Sequence, residues 1–377
     1  MAVRPDLPAA IAAAVERCVR PTLVFDLAQI DARLAAIAAA ARAAEITALF
    51  AAKSFPHPAV RALAAAHLAG FDVASPAEAA EVAADAGAAG ARPAGPRVLS
   101  VADPSGRAVA AAAGWRGRLI VGCETVAQVD AAPPHAEIAI RLSASLTGRD
   151  PAIGGVLEGS GRRRSRFGID VSPALMSEAI AALGRAAGAR PVGLHVHHGP
   201  VAATSSERFT ATAHAMLDAA SAAGIMPRFI DLGGAWHAIA DLPGTLRAIR
   251  AALPPGLEIL IEPGRLVAEG AGFACGRVAV TRELDDRRLC VLELSRICHL
   301  RWSQPALVAP APRTGAGRAT LFAGPTCYEE DVLGEWTIEP AQFVTGGQAV
   351  LRNITGYALA WNTGFGGVAP ADVVMIG

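Results

Sequence analysis

The 377-residue chain is 53% hydrophobic and carries 34 basic against 34 acidic residues, a formal net charge of zero. Balanced charge argues against a nucleic-acid or polyanion surface, and no apolar run reaches the roughly 18–20 residues that cross a bilayer. The N-terminus lacks the pattern of a secretory signal, and the six cysteines form no C-x-x-C pair, so they read as reduced thiols of a cytoplasmic protein.

Residues 1–35 read as a helix and a strand, Thr22–Asp26, that join a C-terminal domain. From there to residue 265, strands and helices alternate. The strand candidates are Ile46–Lys53, Phe71–Ser75, Arg97–Val101, Arg118–Cys123, Glu137–Ser143, Pro191–His198, Arg228–Gly234 and Leu257–Gly264. Ser75-Pro76-Ala77-Glu78 supplies a helix cap, a proline at the first helical position and a carboxylate three residues after the cap. Eight βα units predict a parallel (β/α)8 TIM barrel over 36–265. After Arg265 the pattern becomes all-β. Gly276–Leu284 and Arg288–Ser295 read as a hairpin, followed by strands at Ala306–Ala309, Arg318–Ala323, Gln342–Thr345 and Asp372–Ile376. Residues 266–377 are therefore expected to form a sandwich-like β domain.

Lys53 is the only lysine, and the other residues of the 34 basic ones are arginines. A guanidinium stays protonated and forms no imine, whereas a primary amine in a desolvated pocket attacks carbonyls. Lys53 is thus either a Schiff-base lysine or a surface survivor of arginine-rich coding. Its place at the end of an apolar strand favours the first. Other polar clusters also close strands: Asp72 to Ser75, His195 to Gly199, Asp231 to Gly234 and Glu262 to Arg265. In a barrel these ends meet on the catalytic rim.

Each cluster has its chemistry and its plainer alternative. Gly233-Gly234 lets backbone N–H groups approach a phosphate, although glycine pairs also make simple turns. Arg265 suits the same phosphate or a surface ion pair. Glu262 ends an apolar run and needs a cationic partner, which a protonated ring nitrogen would supply. His197 could cover a flat ring, and at least one of the three neighbouring histidines is structural. Together these features describe a site for pyridoxal 5′-phosphate.

The chain resembles the fold type III pyridoxal-phosphate decarboxylases that act on ornithine, arginine, diaminopimelate and carboxynorspermidine. The resemblance runs from Pro21 to the C-terminus, with segments in the family's order. They are Ala52-Lys53, Gly70 to Ser75, Arg166-Phe167-Gly168-Ile169, Gly193 to Gly199, Asp231-Leu232-Gly233-Gly234, Glu262-Pro263-Gly264-Arg265, Gly324-Pro325-Thr326-Cys327 with Asp331, and Gly356-Tyr357. The resemblance implies a head-to-tail homodimer with shared sites and no metal. It implies Lys53, Cys327 and His197 as catalytic residues. Asp72, Gly233, Gly234, Glu262, Gly264, Arg265 and Tyr357 would join Lys53 and His197 in binding the cofactor, while Tyr328, Asp331 and Arg166 would meet substrate. Cys327 is either the proton donor to Cα or a core thiol.

Four positions depart from the family pattern. Tyr328 replaces the acid that holds a distal amino group, and a tyrosine carries no negative charge near neutral pH. Pro200 replaces a serine, Ala235 a third glycine, and the Phe365-Gly366-Gly367 stretch lacks an asparagine. These departures imply a non-standard or modified amino acid as substrate, and the Arg162-Arg163-Arg164 loop could meet an acidic group on it. A racemase or aldolase of the same cofactor class, or a decarboxylase-like regulator, are the alternative readings.

Overall fold

The computed structural model describes residues 7–88, 98–144, 167–169, 173–197, 206–312, 317–339, 341 and 343–377. They divide into two compact units: Leu34–Lys53 with His57–Leu266, and Met1–Arg33 with Ser54–Pro56 and Val267–Gly377. No helix among the described residues is long and apolar enough to cross a membrane.

In the second unit β1 (Thr22–Asp26) lies in a β domain, described below. The other unit is a closed barrel of eight parallel strands, paired in chain order: β2 (Ile46–Ala51), β3 (Gly70–Val73), β4 (Val98–Val101), β5 (Arg118–Cys123), β6 (Glu137–Arg141), β7 (Val192–His195), β8 (Phe229–Asp231) and β9 (Glu258–Ile261). All eight expected strands are present. They are near-continuous apolar runs because helices cover one face and the barrel interior the other. Leu49, Val98, Ile120, Ala139, Phe229 and Leu260 pack together as a buried cluster. The Phe229 ring fits because position 193 is glycine; a Cβ there would lie 2.4 Å from it.

At the N-terminal ends of the strands, Arg118 bridges Glu137 at 2.8 Å and Glu258 at 2.6 Å. Its guanidinium also lies 5.2 Å from the Phe229 ring centre. This end is closed by charge pairing, so chemistry is left to the other end. There the expected helix cap forms. The Ser75 hydroxyl accepts the Glu78 N–H at 3.2 Å, and Glu78 accepts the Ala74 N–H at 2.9 Å. The helix then runs Pro76–Ala88.

The β domain contains β10 (Gly272–Glu283), β11 (Arg288–Leu292), β12 (Ala306–Ala309), β13 (Arg318–Ala323), β14 (Val332–Ile338), β15 (Gln348–Arg352) and β16 (Asp372–Ile376). The main path is β12-β15-β10-β11-β13-β14, and β1 pairs antiparallel with β10 and parallel with β16. The β10–β11 hairpin forms as expected. Three details differ from the sequence reading. Strand β15 begins at Gln348, past the strand expected at Gln342–Thr345. Phe343–Thr345 are loop and turn rather than strand; Phe343 is instead a buried plug, its ring 5.0 Å from that of Phe322. Strand β14 was not expected. It is the last strand on its path, and an edge strand needs only partial burial, so Gly334 and Glu335 interrupt its apolar pattern.

Candidate active site

Lys53, expected as the last residue of its strand, lies two residues past the end of β2, in the 3-10 turn Ala52–Ser54. β2 pairs with β3 so that Ala51 sits opposite Asp72. That register carries the Lys53 amine to 2.8 Å from Asp72 Oδ2, with side-chain exposures of 31% and 0%. Asp72 Oδ1 is buried without a hydrogen bond.

Glu262 directly follows β9 and is 2% exposed. Its backbone N–H donates to the Gly233 carbonyl at 2.8 Å. The Trp236 indole donates to the same carbonyl at 2.7 Å and stacks on Phe209 at 4.2 Å. The Gly233 turn is thus clamped. Gly233 has a φ of +65°, and a Cβ there would lie 2.4 Å from the Val196 carbonyl oxygen. Only glycine takes that conformation freely. Ala235 carries a φ of +74°, so its backbone keeps the shape a glycine would adopt, at a cost of about 1 kcal/mol.

Two imidazoles flank Glu262. His195 Nε2 faces Oε1 at 3.5 Å, and His197 Nδ1 lies 4.0 Å from Oε2. Neither supplies a cation. Burial pushes His195 well below its usual range, and Arg141 adds to the effect. His197 Nδ1 accepts the Gly234 N–H at 3.3 Å, which leaves that nitrogen without a proton. Glu262 Oε1 has no hydrogen bond. Burial, reinforced by Asp72 and Asp231, pushes the Glu262 carboxyl well above its usual range. Burial likewise lifts Asp231 to about 7. Asp231 and Glu262 share a side-chain hydrogen bond, which requires a proton on one of them.

This arrangement answers whether a pyridoxal ring fits. A buried carboxyl whose charged form burial disfavours, with one bare oxygen, matches a protonated ring nitrogen, which would favour its charge. His195, Asp231 and Glu262 also place ligand atoms within 4.8 Å of one another.

Arg265 opens the 3-10 turn Arg265–Ala268, after Gly264. Its guanidinium lies 3.4 Å from His237 Nε2. Burial and the Arg265 charge push His237 down to about 4, so it meets the guanidinium as a neutral acceptor. His237 escaped the sequence reading because it sits in an unpatterned turn, and Asp231 was noted only as the start of a glycine motif, with no role of its own.

Segment 167–169 docks on the end of β6. Ile169 N–H donates to the Arg141 carbonyl at 2.8 Å, and the Arg141 guanidinium lies 4.7 Å from the Phe167 ring centre. Arg166, Pro200 and the Arg162–Arg164 loop lie outside the described residues.

Cys327, Tyr328, Asp331 and Tyr357 belong to the β unit. Cys327 is exposed. Tyr328 is 48% exposed, and its ring lies 6.2 Å from that of Phe365. Tyr357 packs edge-on against Trp302 at 5.0 Å. Asp331, expected at the substrate, is only 2% exposed, and both its oxygens accept hydrogen bonds from its own domain.

The buried carboxyls set a pH dependence. The folded-state pKa of Asp231 is raised from 3.8 to about 7. Between those values the folded protein holds more protons than the unfolded chain, so stability falls as pH rises through the window. Asp231→Asn keeps the acceptor for the Gly233 N–H, which Asp231 takes at 2.8 Å. In the cofactor-free protein it should remove up to about 1.4 kcal/mol per pH unit of that decline. Urea unfolding at several pH values checks this; parallel pH profiles for both proteins would contradict it.

Residues 27–269, more than half of the chain, match the family described as pyridoxal-dependent decarboxylase, pyridoxal binding domain. The chain belongs to that family. It is 28% identical over 324 residues to the diaminopimelate decarboxylase of Deinococcus radiodurans, which covers 85% of this chain and 80% of that protein. Its fold is that of the arginine decarboxylase of Paramecium bursaria Chlorella virus (TM-score 0.77, 17% identity, 97% of this chain and 98% of that one). The lysine/ornithine decarboxylase of Vibrio vulnificus shares it too (TM-score 0.74, 19% identity, 97% of each chain).

Proposed function

We propose that the chain is a pyridoxal 5′-phosphate-dependent carboxy-lyase that decarboxylates a non-standard or modified amino acid at Cα. The observation that carries the chemistry is the pairing of a strand-end lysine amine with buried Asp72, in the same barrel as buried Glu262 with its bare Oε1. The bound cofactor supplies an electron sink in conjugation with the bond to Cα.

The chain's own residues do the rest. Lys53 Nζ would hold the cofactor's aldehyde carbon, and Asp72 would orient that amine. Gly233, Gly234, Gly264 and Arg265 would hold the phosphate, and Tyr357 would contribute to it. Glu262 would keep a proton on the ring nitrogen, and His197 would cover a ring face. As the bond from Cα to the carboxylate breaks and carbon dioxide leaves, Cys327 Sγ would give its proton to the electron pair left at Cα, and water would return a proton to the thiolate. Two copies of the chain would share their sites in a homodimer, with Cys327 of one serving the other.

The substrate class rests on Tyr328. It stands where related decarboxylases are read to carry an acid for a distal ammonium. A neutral phenol offers no counter-charge, and a bare ammonium left unpaired is penalised. Arg166 would meet an anionic part of the substrate. Carbon dioxide release from a panel of amino acids and their conjugates tests the reading. Ornithine, lysine and diaminopimelate should be turned over with kcat/KM about 100-fold below the preferred compound. Efficient turnover of any of the three would overturn it.

A further inference from the structure

We infer that Asp331 is the positioning residue for the tip that carries Cys327 and Tyr328. The inference rests on the decarboxylase reading only for what Cys327 then does.

The carboxylate is 2% exposed, yet it is held by neutral donors from two separate segments. From the tip, the Thr326 hydroxyl donates to Oδ2 at 2.7 Å and the Thr326 N–H at 3.2 Å. From a turn some 30 residues earlier, Oδ1 accepts the Arg296 N–H at 2.6 Å and the Ile297 N–H at 3.3 Å. The Ser295 hydroxyl donates to the same carboxylate at 3.0 Å. It also accepts the Ile297 and Cys298 N–H groups at 3.1 and 2.9 Å.

The backbone closes the same loop. Gly324 N–H donates to the Asp331 carbonyl at 2.7 Å, and Asp331 N–H to the Tyr328 carbonyl at 2.9 Å. A Cβ at Gly324 would fall 2.2 Å from Asp331 Oδ2, so the carboxylate occupies the space a side chain would need. The Thr326 hydroxyl, already donating to Asp331, accepts the Tyr328 N–H at 3.4 Å. Both neighbours of Cys327 are thus tied, directly or through one hydroxyl, to a single buried charge.

A buried charge penalises any loop movement that withdraws a donor. The exposed thiol is therefore fixed in place without being covered. A proton donor needs such fixing, because transfer depends on near-attack geometry. The same network reaches the segment carrying Phe365. His299 Nδ1 accepts the Ser295 N–H at 3.1 Å, and its Nε2 lies 3.0 Å from the Ala369 carbonyl.

The test compares wild type, Thr326→Val, Asp331→Asn and Cys327→Ala as purified holoenzyme. Amide hydrogen exchange of the peptide carrying Thr326 to Asp331 reads loop order independently of turnover. Thr326→Val removes one hydroxyl, and Asp331→Asn turns an acceptor into a donor facing other donors. Each should raise the exchange rate of the tip about 10-fold, as losing a hydrogen bond to a charged group allows. Each should also lower kcat about 10-fold with KM nearly unchanged, because the tip acts on the chemical step. Unchanged exchange in Thr326→Val overturns the inference, even if Asp331→Asn fails to fold. Full activity in Cys327→Ala would instead overturn the proton-donor role, leaving the exchange result to decide the loop.

Discussion

Replacing Lys53 with alanine is expected to lower decarboxylation by on the order of 10³-fold or more and to abolish the visible band of lysine-linked cofactor. No other side chain can take its place, because every other basic side chain of its class is an arginine. The loss has two parts. The amine is the only side chain able to hold the cofactor's aldehyde carbon. It is also the ion-pair partner of Asp72, whose side chain is fully buried, so alanine leaves a buried carboxylate stranded at a cost of about 3–5 kcal/mol. Lys53→Arg separates the two. Its guanidinium keeps a charge beside Asp72 but forms no covalent link. The arginine variant should melt close to wild type and be as inactive as the alanine one. Activity within tenfold of wild type in either variant, a threshold of about 1.4 kcal/mol, would contradict the assignment.

Glu262→Gln should lower kcat by about 10²- to 10³-fold, the equivalent of a broken buried pair. The amide cannot hold a proton on the ring nitrogen. The same change should not destabilise the cofactor-free protein near neutral pH. Burial raises the Glu262 carboxyl and disfavours its charged form there, so an amide of equal size removes no favourable buried charge. The sign follows from linkage. A raised carboxyl stabilises at low pH, and that contribution is lost as pH climbs through its folded value. Steady-state kinetics and thermal melting of the cofactor-free variant read the two effects separately. A variant that loses activity only because it unfolds would contradict the role given to Glu262.

The barrel was legible because its strands are buried on both faces and read as unbroken apolar runs. Six of the eight C-terminal ends were overread by two or three residues. Ser143, Gly234 and Gly264 continue their runs in composition, but the strands end at Arg141, Asp231 and Ile261. The β domain was harder. Edge strand β14 has no clean alternation, and Phe343 belongs to a run that looks extended but serves as a core plug.

Within the site, Lys53, Asp72 and Glu262 stood out because polar residues at the ends of apolar strands are conspicuous. Partnerships were invisible. Nothing local pairs Asp231 with Glu262, or His237 with Arg265, because chain closure around the barrel brings them together. Asp331 shows the limit most clearly. Family resemblance alone places it at the substrate, and only the folded loop shows that its carboxylate is held by Ser295 and Thr326.

The most direct test is reduction of the purified protein with borohydride followed by peptide mass mapping. Attachment of a phosphopyridoxyl group to the peptide containing Lys53, and to no other, is the predicted result. No incorporation, or incorporation confined to the N-terminal amine, would contradict the account.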